Sequence, residues 1–402
     1  MGRLCVGFLL CCFAVLVSGC AGGGERHVWP RATFEDAGVH EASIAELVAD
    51  IEAGDYGNVD HFLLARGGKI VADHHFDRDY NEISKPHKPK DHIYDYDAPA
   101  WHPYYQGTRL HSLQSVTKSI TSICVGIAMD EGLLPGGVQT PAMSFFSEYA
   151  PDLSDPRRRA MTLEDLLTMR SGIAWDENGS YDDPANSCYQ LESSDDWVRY
   201  VLSQPMGAEP GKVFNYNSGV SVLIGKIVRV VTGKRIDDYA REKLFEPLGI
   251  RDWYWKETPC GEIDTEGGLY LKPRDLARVA QLFLQKGAWQ GRRIVSESWV
   301  DESIMPRVVL FSTPRRPMNL PAGWKGKAMR DTAYGYQWWV EAEGGHTVMF
   351  QGSGYGGQFP TVVPSLDLVI VFNAWNIHGS TKKSTSEAIR RIIIPAIRSD
   401  AR

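Results

Sequence analysis

The chain has 402 residues, 43% hydrophobic and 23% charged, with a formal net charge of −7 and a pI near 5.9. This is a globular composition with apolar material for one large core or two smaller ones. No basic run or stripe occurs, which speaks against nucleic acid as a partner.

The first twenty residues differ from the rest. Arg3 precedes a nearly unbroken apolar run from Leu4 to Val17, too short to span a bilayer and suited to a signal-peptide core. Val17-Ser18-Gly19-Cys20 then resembles a bacterial lipobox, with Cys20 lipidated as the new N-terminus and Ala21-Gly22-Gly23-Gly24 as a tether. A plain secretory signal cut nearby is the alternative. Residues 1–19 are thus expected to be a signal peptide, 20–30 an anchor and tether, and 31–400 the folded body. The expected location is the periplasmic side of a bacterial envelope. Ala21 lacks the acid associated with inner-membrane retention, which favours the outer membrane. Only Cys124, Cys188 and Cys260 lie in the body, and an odd number rules out a full disulfide framework. Cys124 reads as a buried thiol, and Cys188 and Cys260 are the pair an oxidising compartment would permit.

Val59 to Ala65 reads as a strand, Arg66-Gly67-Gly68-Lys69 as a turn and Ile70 to Asp73 as the return strand of a hairpin. Phe76 to Gly107 reads as a long ordered loop. His74, His75, His87, His92 and His102 have no helix-spaced or zinc-type pattern, so no metal site is expected. A helix follows from about Ser115 to Leu134, with Ile120, Ile123, Cys124, Ile127 and Ala128 on one face. Thr162 caps a further helix start, and Val220–Val231 and Pro273–Gln285 are apolar-periodic helices. Gly335–Val340, Thr347–Phe350 and Leu368–Phe372 read as strands, and Ser384–Ile397 as a closing helix interrupted by Pro395. Strands at both ends with helices between them predict an α+β fold. An antiparallel sheet built from both chain ends (about 45–110 and 330–400) is flanked by helices and joined to a mainly helical lobe (about 111–329). The cleft between the lobes is the expected ligand site.

Three short segments carry chemistry. Ser115-Val116-Thr117-Lys118 opens a helix and places a hydroxyl and an amine on one face. A serine nucleophile needs such a base, and lysine serves if its pKa is depressed. The helix N-terminus adds positive potential for an oxyanion. Asn215-Tyr216-Asn217-Ser218 precedes the next helix, and near Lys118 the tyrosine can shuttle the serine proton. Gly352-Ser353-Gly354-Tyr355-Gly356-Gly357-Gln358 follows a strand, and its glycines permit close backbone approach.

In order and spacing these segments resemble the serine β-lactamase and penicillin-binding-protein superfamily. The chain is most similar to the class C β-lactamase-related esterases and amidases, and among them to 6-aminohexanoate-dimer hydrolases. The likeness runs from about Val59 to Ile397. It includes Thr168-Met169-Arg170-Ser171-Gly172-Ile173, the phrase from Ser115 to Gly132, Gly267-Gly268-Leu269-Tyr270 and Pro273-Arg274-Asp275-Leu276-Ala277. The resemblance implies a two-lobed fold and acyl-enzyme chemistry on a small-molecule ester or amide. Ser115 is the implied nucleophile, with Lys118 and Tyr216 as general base and acid. The Ser115 and Tyr355 N–H groups form the implied oxyanion hole, and no cofactor or metal is needed. Ser218, Gly352, Ser353, Gly354 and Trp175 are substrate-binding candidates, Trp175 with the Tyr181–Cys188 loop at the pocket mouth. Packing beside the Ser171-Gly172 turn is the alternative for Trp175. His346 and His378 read as structural histidines, and Trp338, Trp339 and Trp375 as packing residues.

Two positions depart from the β-lactamase and peptidase pattern. Gly352 stands where those enzymes carry Lys or His, and Tyr216-Asn217-Ser218 replaces the commoner Tyr-x-Asn. Both favour ester or linear amide substrates over β-lactams. The alternatives are a β-lactamase or DD-peptidase acting on cell-wall peptides, and a non-catalytic binding protein on the same scaffold. The sequence leaves the oligomeric state open.

Overall fold

The computed structural model describes residues 29–89, 94–98, 102–315 and 328–398, so the leader with Cys20, and also His92, lie outside the described residues. A first helix, α1 (Glu41–Glu52), precedes the hairpin β1 (Val59–Arg66) and β2 (Lys69–His75). The short strand β3 (His111–Ser112) leads into α2 (Val116–Asp130). Then come α3 (Leu163–Leu167), α4 (Ser218–Thr232), β4 (Trp253–Trp255), β5 (Leu269–Leu271) and α5 (Pro273–Leu284). The chain continues through β6 (Val308–Arg315), β7 (Ala328–Tyr334), β8 (Trp339–Glu343), β9 (His346–Gln351), β10 (Phe359–Val363) and β11 (Leu368–Ala374). It closes with α6 (Thr385–Ala388), which runs on into a wider turn, Ile389–Ile393.

Eight strands form one antiparallel sheet in the order β2-β1-β11-β10-β9-β8-β7-β6. β1 from one end of the chain therefore pairs with β11 from the other, Phe62 opposite Phe372 and Leu64 opposite Ile370. One face, with Phe62, Leu64, Ile370 and Phe372, packs on Ile44, Leu47 and Ile51 of α1 and on Ile389 and Ile393. The other, with Leu63, Val369 and Val371, packs on α5 and the large core around α2. Helices on both faces explain why every residue of β11 is buried and why its sequence is apolar from Leu368 to Phe372.

Several sequence expectations shift. Residues 308–315 and 328–329, placed with the helical lobe, belong to β6 and β7 of the main sheet. Helix α5, placed there too, lies on the sheet. The strand expected at Gly335–Val340 begins only at Trp339, because Gln337 turns back in the left-handed region (φ 64°). Its N–H donates to Leu167 O, and its side chain accepts from Ser221. The stretch expected as a loop from Phe76 to Gly107 contains a short helix, Tyr80–Ser84, and a 3-10 turn, Pro103–Gln106. Cys188 and Cys260 do not pair: Cys188 is buried among acids and Cys260 is exposed. Helix α2 is buried on every side from Val116 to Ala128, including Thr117, Lys118, Ser119, Thr121 and Ser122, so it is the central helix rather than an amphipathic one. Among the described residues no helix is long and apolar enough to cross a membrane.

The tightness of that centre can be tested. A Cβ at Gly126, inside α2, would fall 2.2 Å from Cδ1 of the Trp299 indole. Gly126→Ala should therefore cost about 1–3 kcal/mol of stability through overpacking, despite the better helix propensity of alanine. A lower urea midpoint is expected, and an unchanged or raised midpoint would contradict this packing.

Candidate active site

Ser115 sits at the start of α2, after a sharp turn. Gln114 adopts a left-handed conformation (φ 47°), a strain of roughly 1–3 kcal/mol for a residue with a side chain. The turn is held by Val116 N–H to Leu113 O and Thr117 N–H to Gln114 O. One helical turn on, Lys118 is fully buried (0% exposed). Its ammonium donates to Ser115 Oγ at 3.0 Å, to Glu266 O at 2.6 Å and to Glu266 Oε2 at 3.3 Å. Glu266 is delivered by β5, which pairs with β3 so that His111 lies opposite Leu271 and Ser112 opposite Tyr270. Leu113 N–H to Leu269 O and Leu269 N–H to Thr117 Oγ1 fasten the same junction.

Tyr216 comes from the loop before α4. Asn217 caps that helix by accepting from Val220 N–H, and Asn215 N–H donates to Met169 O. The Met169–Ile173 segment is the bed of this loop. Gly172 adopts φ 76°, and a Cβ there would strike Ala208 O at 2.4 Å. Tyr216 stacks against Trp339 (6.1 Å between centroids), and Lys118 Nζ lies 5.4 Å from its ring centroid. The three residues singled out from the sequence are thus brought together.

The electrostatics are not those expected for a neutral lysine. Burial opposes the Lys118 charge, but Tyr216, Glu266 and Glu177 outweigh it and raise the pKa above the ordinary value. Burial also raises the Tyr216 pKa; the Lys118 charge and a hydrogen bond with Ser115 offset only part of this. The two groups support one another: a charged Tyr216 is the first of the neighbours that hold the Lys118 proton, and the Lys118 charge in turn favours the Tyr216 phenolate. The Lys118 pKa is thus raised rather than depressed, which favours Tyr216 over Lys118 as the group that takes the proton. A phenolate at Tyr216 can take the Ser115 proton.

The third segment meets the same turn. A Cβ at Gly352 would lie 2.9 Å from Val116 Cγ1, and one at Gly354 would lie 2.3 Å from Leu113 O, so glycine lets this strand press against the turn that carries Ser115. Gly352 N–H donates to Pro360 O and Gly354 N–H to Gln358 O. Tyr355 opens the tight turn that follows, closed by Gly357 N–H and Gln358 N–H to Gly354 O, both at 3.2 Å. The Tyr355 ring is 52% exposed and meets the Tyr181 ring edge-on at 5.8 Å, forming the rim.

Other candidates fall elsewhere. Ser218 gives its N–H (2.8 Å) and hydroxyl (2.7 Å) to Glu177, so it is an internal anchor rather than a substrate contact. Trp175 is buried and donates to Glu177 Oε2 at 2.7 Å, which makes it a packing residue. Ser353 lines a cavity of about 410 Å³ with Gln351, Phe359 and Arg390, and Ser115 is not among its walls. Nor does Ser115 line the groove of about 1090 Å³ beside His111 and Trp375. His346 is exposed at the start of β9, and His378 lies beside His87. Trp338 packs on Phe283, and Trp375 stacks on His111 at 3.6 Å. Cys188 lies near Glu266 (3.9 Å), where burial and acids push its thiol well up and leave it unreactive.

Sequence reading missed Glu177 and Glu266. Neither has a distinctive neighbourhood, although Glu266 directly precedes the Gly267-Gly268 pair of the resemblance. Removing the Glu266 charge takes a stabilising neighbour from the Lys118 ammonium and a repelling one from a Tyr216 phenolate. Both pKa values should fall in Glu266→Gln, and the pH profile of Ser115 acylation should move toward acid. A profile unmoved in a folded variant would remove Glu266 from the charge balance.

Comparison with known proteins gives this arrangement its relatives. The Beta-lactamase family model matches residues 60–392. The chain is 29% identical over 277 residues to a 6-aminohexanoate-dimer hydrolase of Paenarthrobacter ureafaciens, covering 66% of each chain. It is 27% identical over 184 residues to Esterase EstB of Burkholderia gladioli, covering 44% of each. The match thus spans at most about two thirds of these curated relatives. In fold it is similar to a family VIII carboxylesterase (TM-score 0.60, 17% identity, 89% of this chain and 96% of that one). It is also similar to a penicillin binding protein from Bacillus halodurans (TM-score 0.59, 17% identity, 85% and 98%). With the family model matched over most of its length, and a sheet and catalytic turn to accompany it, this chain belongs to the beta-lactamase family.

Proposed function

We propose that the protein is a serine hydrolase that cleaves an ester or linear amide bond through an acyl-enzyme on Ser115. The observation that carries this reading is the 3.0 Å bond from the buried Lys118 ammonium to Ser115 Oγ, with the Tyr216 ring 5.4 Å from the same ammonium. Ser115 Oγ attacks the carbonyl carbon while its proton passes to the Tyr216 phenolate, which Lys118 stabilises. The carbonyl oxygen becomes an oxyanion between the N–H groups of Ser115 and Tyr355, at the positive end of α2. Collapse expels the alcohol or amine, which takes the proton from Tyr216. A water then gives its proton to Tyr216 and attacks the acyl carbon; collapse breaks the bond to Ser115 Oγ, which takes the proton back from Tyr216 and restores both groups. The scheme uses no cofactor.

The names of the curated relatives, an amide-dimer hydrolase and an esterase, support this bond class. Gly352 offers no cation for a substrate carboxylate, which favours esters and linear amides over β-lactams. The aromatic rim of Tyr181 and Tyr355 suits an acyl or amine portion with an apolar body. The pattern of Leu4–Val17 and Cys20 supports a lipid-anchored location on the periplasmic side of the envelope.

Intact mass after treatment with a fluorophosphonate ester tests the nucleophile. One adduct on Ser115 is expected, absent in Ser115→Ala, which should also lose 4-nitrophenyl butyrate turnover by about 10³-fold or more. A folded wild type that forms no adduct would reject the hydrolase reading in favour of a binding protein. A stable penicillin adduct on Ser115 would move the substrate to cell-wall peptides.

A further inference from the structure

Between β2 and β3, residues 94–98 form a strap whose side chains reach other parts of the molecule. Tyr96 OH lies 2.6 Å from Glu266 Oε1, the carboxylate that holds Lys118. The residues on either side of Tyr96 point to a second centre. His87 Nε2 is 2.9 Å from Asp95 Oδ2, and His87 Nδ1 is 3.7 Å from Asp97 Oδ2. The loop leaving β11 brings His378 to the same place, its ring 6.1 Å from that of His87. One ligand atom from each of His87, Asp97 and His378 lies within 4.8 Å of the other two.

We propose that His87, Asp97 and His378 form a binding site for a single borderline divalent cation of the Zn²⁺ class. Two imidazoles and one carboxylate are a nitrogen-rich set that suits Zn²⁺ better than Mg²⁺ or Ca²⁺, which take oxygen donors. The surroundings are those of a ligand set already oriented. Asp95 accepts from His87 Nε2, which places that ring's proton there and leaves the Nδ1 lone pair facing Asp97, the arrangement that orients histidine ligands. Asp97 Oδ1 accepts from Tyr80 OH at 3.2 Å, leaving Oδ2 for the cation. His378 Nε2 is buried with no hydrogen-bond partner among the described residues, a cost that a metal bond would remove. Tetrahedral bonds of about 2.0–2.1 Å set ligand atoms about 3.3 Å apart, so the site closes with small side-chain shifts. A water would take the fourth position.

The cation would staple two segments that touch the site from different sides. The strap reaches Glu266 through Tyr96. The loop holds Tyr355, whose hydroxyl donates to Ile377 O at 3.1 Å, next to His378. These histidines stand far apart in sequence, which is why no spacing pattern announces them.

The test uses untagged, chelator-stripped protein titrated with ZnCl₂ by calorimetry at pH 7.5, with Co²⁺ absorption as the geometric readout. Wild type should bind one equivalent, show tetrahedral Co²⁺ bands and melt at a higher temperature with zinc. His378→Ala and His87→Ala should each weaken binding at least ten-fold and lose the thermal shift. Cys188→Ser, which alters a second, buried cluster of metal-type side chains among the described residues (Cys188, Glu192 and Glu266), should bind as wild type does. His378→Ala removes no hydrogen bond from Nε2, so it decides the matter even if His87→Ala folds poorly. No saturable zinc binding by folded wild type, or binding undiminished in His378→Ala, would overturn the proposal.

Discussion

The site depends on one buried positive charge. A lysine ammonium taken wholly out of water is tolerated only where its protons and its charge are matched, and breaking such a pair from one side typically costs about 3–5 kcal/mol. Lys118 spends its donors on Ser115 Oγ, Glu266 O and Glu266 Oε2. Those contacts tie the first turn of α2 to the segment before β5, and Tyr216 of a third segment lies over the same ammonium. Charge balance and fold are therefore one problem: the acid that keeps Lys118 charged also fixes where Ser115 stands.

The same charge divides the proton chemistry. The raised Lys118 pKa disfavours lysine as the acceptor of the serine proton, and the ammonium lowers the cost of a phenolate beside it. Glu177 and Glu266 act in the opposite sense on Tyr216. The acids thus set a compromise, strong enough to hold the ammonium and weak enough to leave Tyr216 within reach of ionisation. Glu177 is itself restrained by Ser218, Trp175 and Tyr181, so its position follows from the cap of α4 and from the rim.

The parts legible in the sequence were those with local signatures. Ser115 and Lys118 share a helical face by spacing alone, and Tyr216 stands before a capped apolar helix. Strands at both chain ends announced a sheet closed by distant segments. What stayed hidden depends on tertiary contact. Glu266 meets Lys118 only because β5 pairs with β3. Ser218 looked available for substrate until Glu177 took its hydroxyl. The choice between packing and pocket for Trp175, and the place of Val308–Arg315 in the sheet, stayed open or went wrong for the same reason: an aromatic ring or an edge strand has no face until its neighbours are known. The left-handed turn at Gln337 broke an apparently continuous strand pattern, since nothing in Gly335-Tyr336-Gln337-Trp338 reveals that the glutamine side chain will accept from Ser221 on α4.

The oxyanion side shows why a glycine stands at position 352. In this fold the third segment runs so close to the Ser115 turn that even a methyl group at Gly352 or Gly354 would meet Val116 or Leu113 O. A long cationic side chain at Gly352 would have to displace Val116, and with it the start of α2. The missing cation and the close approach therefore have one cause. Backbone N–H groups, helix polarity and the Lys118–Tyr216 pair are left to supply the positive potential for a developing oxyanion. On this reading substrate choice rests largely on what the rim of Tyr181 and Tyr355 admits, because position 352 itself contributes no side-chain charge.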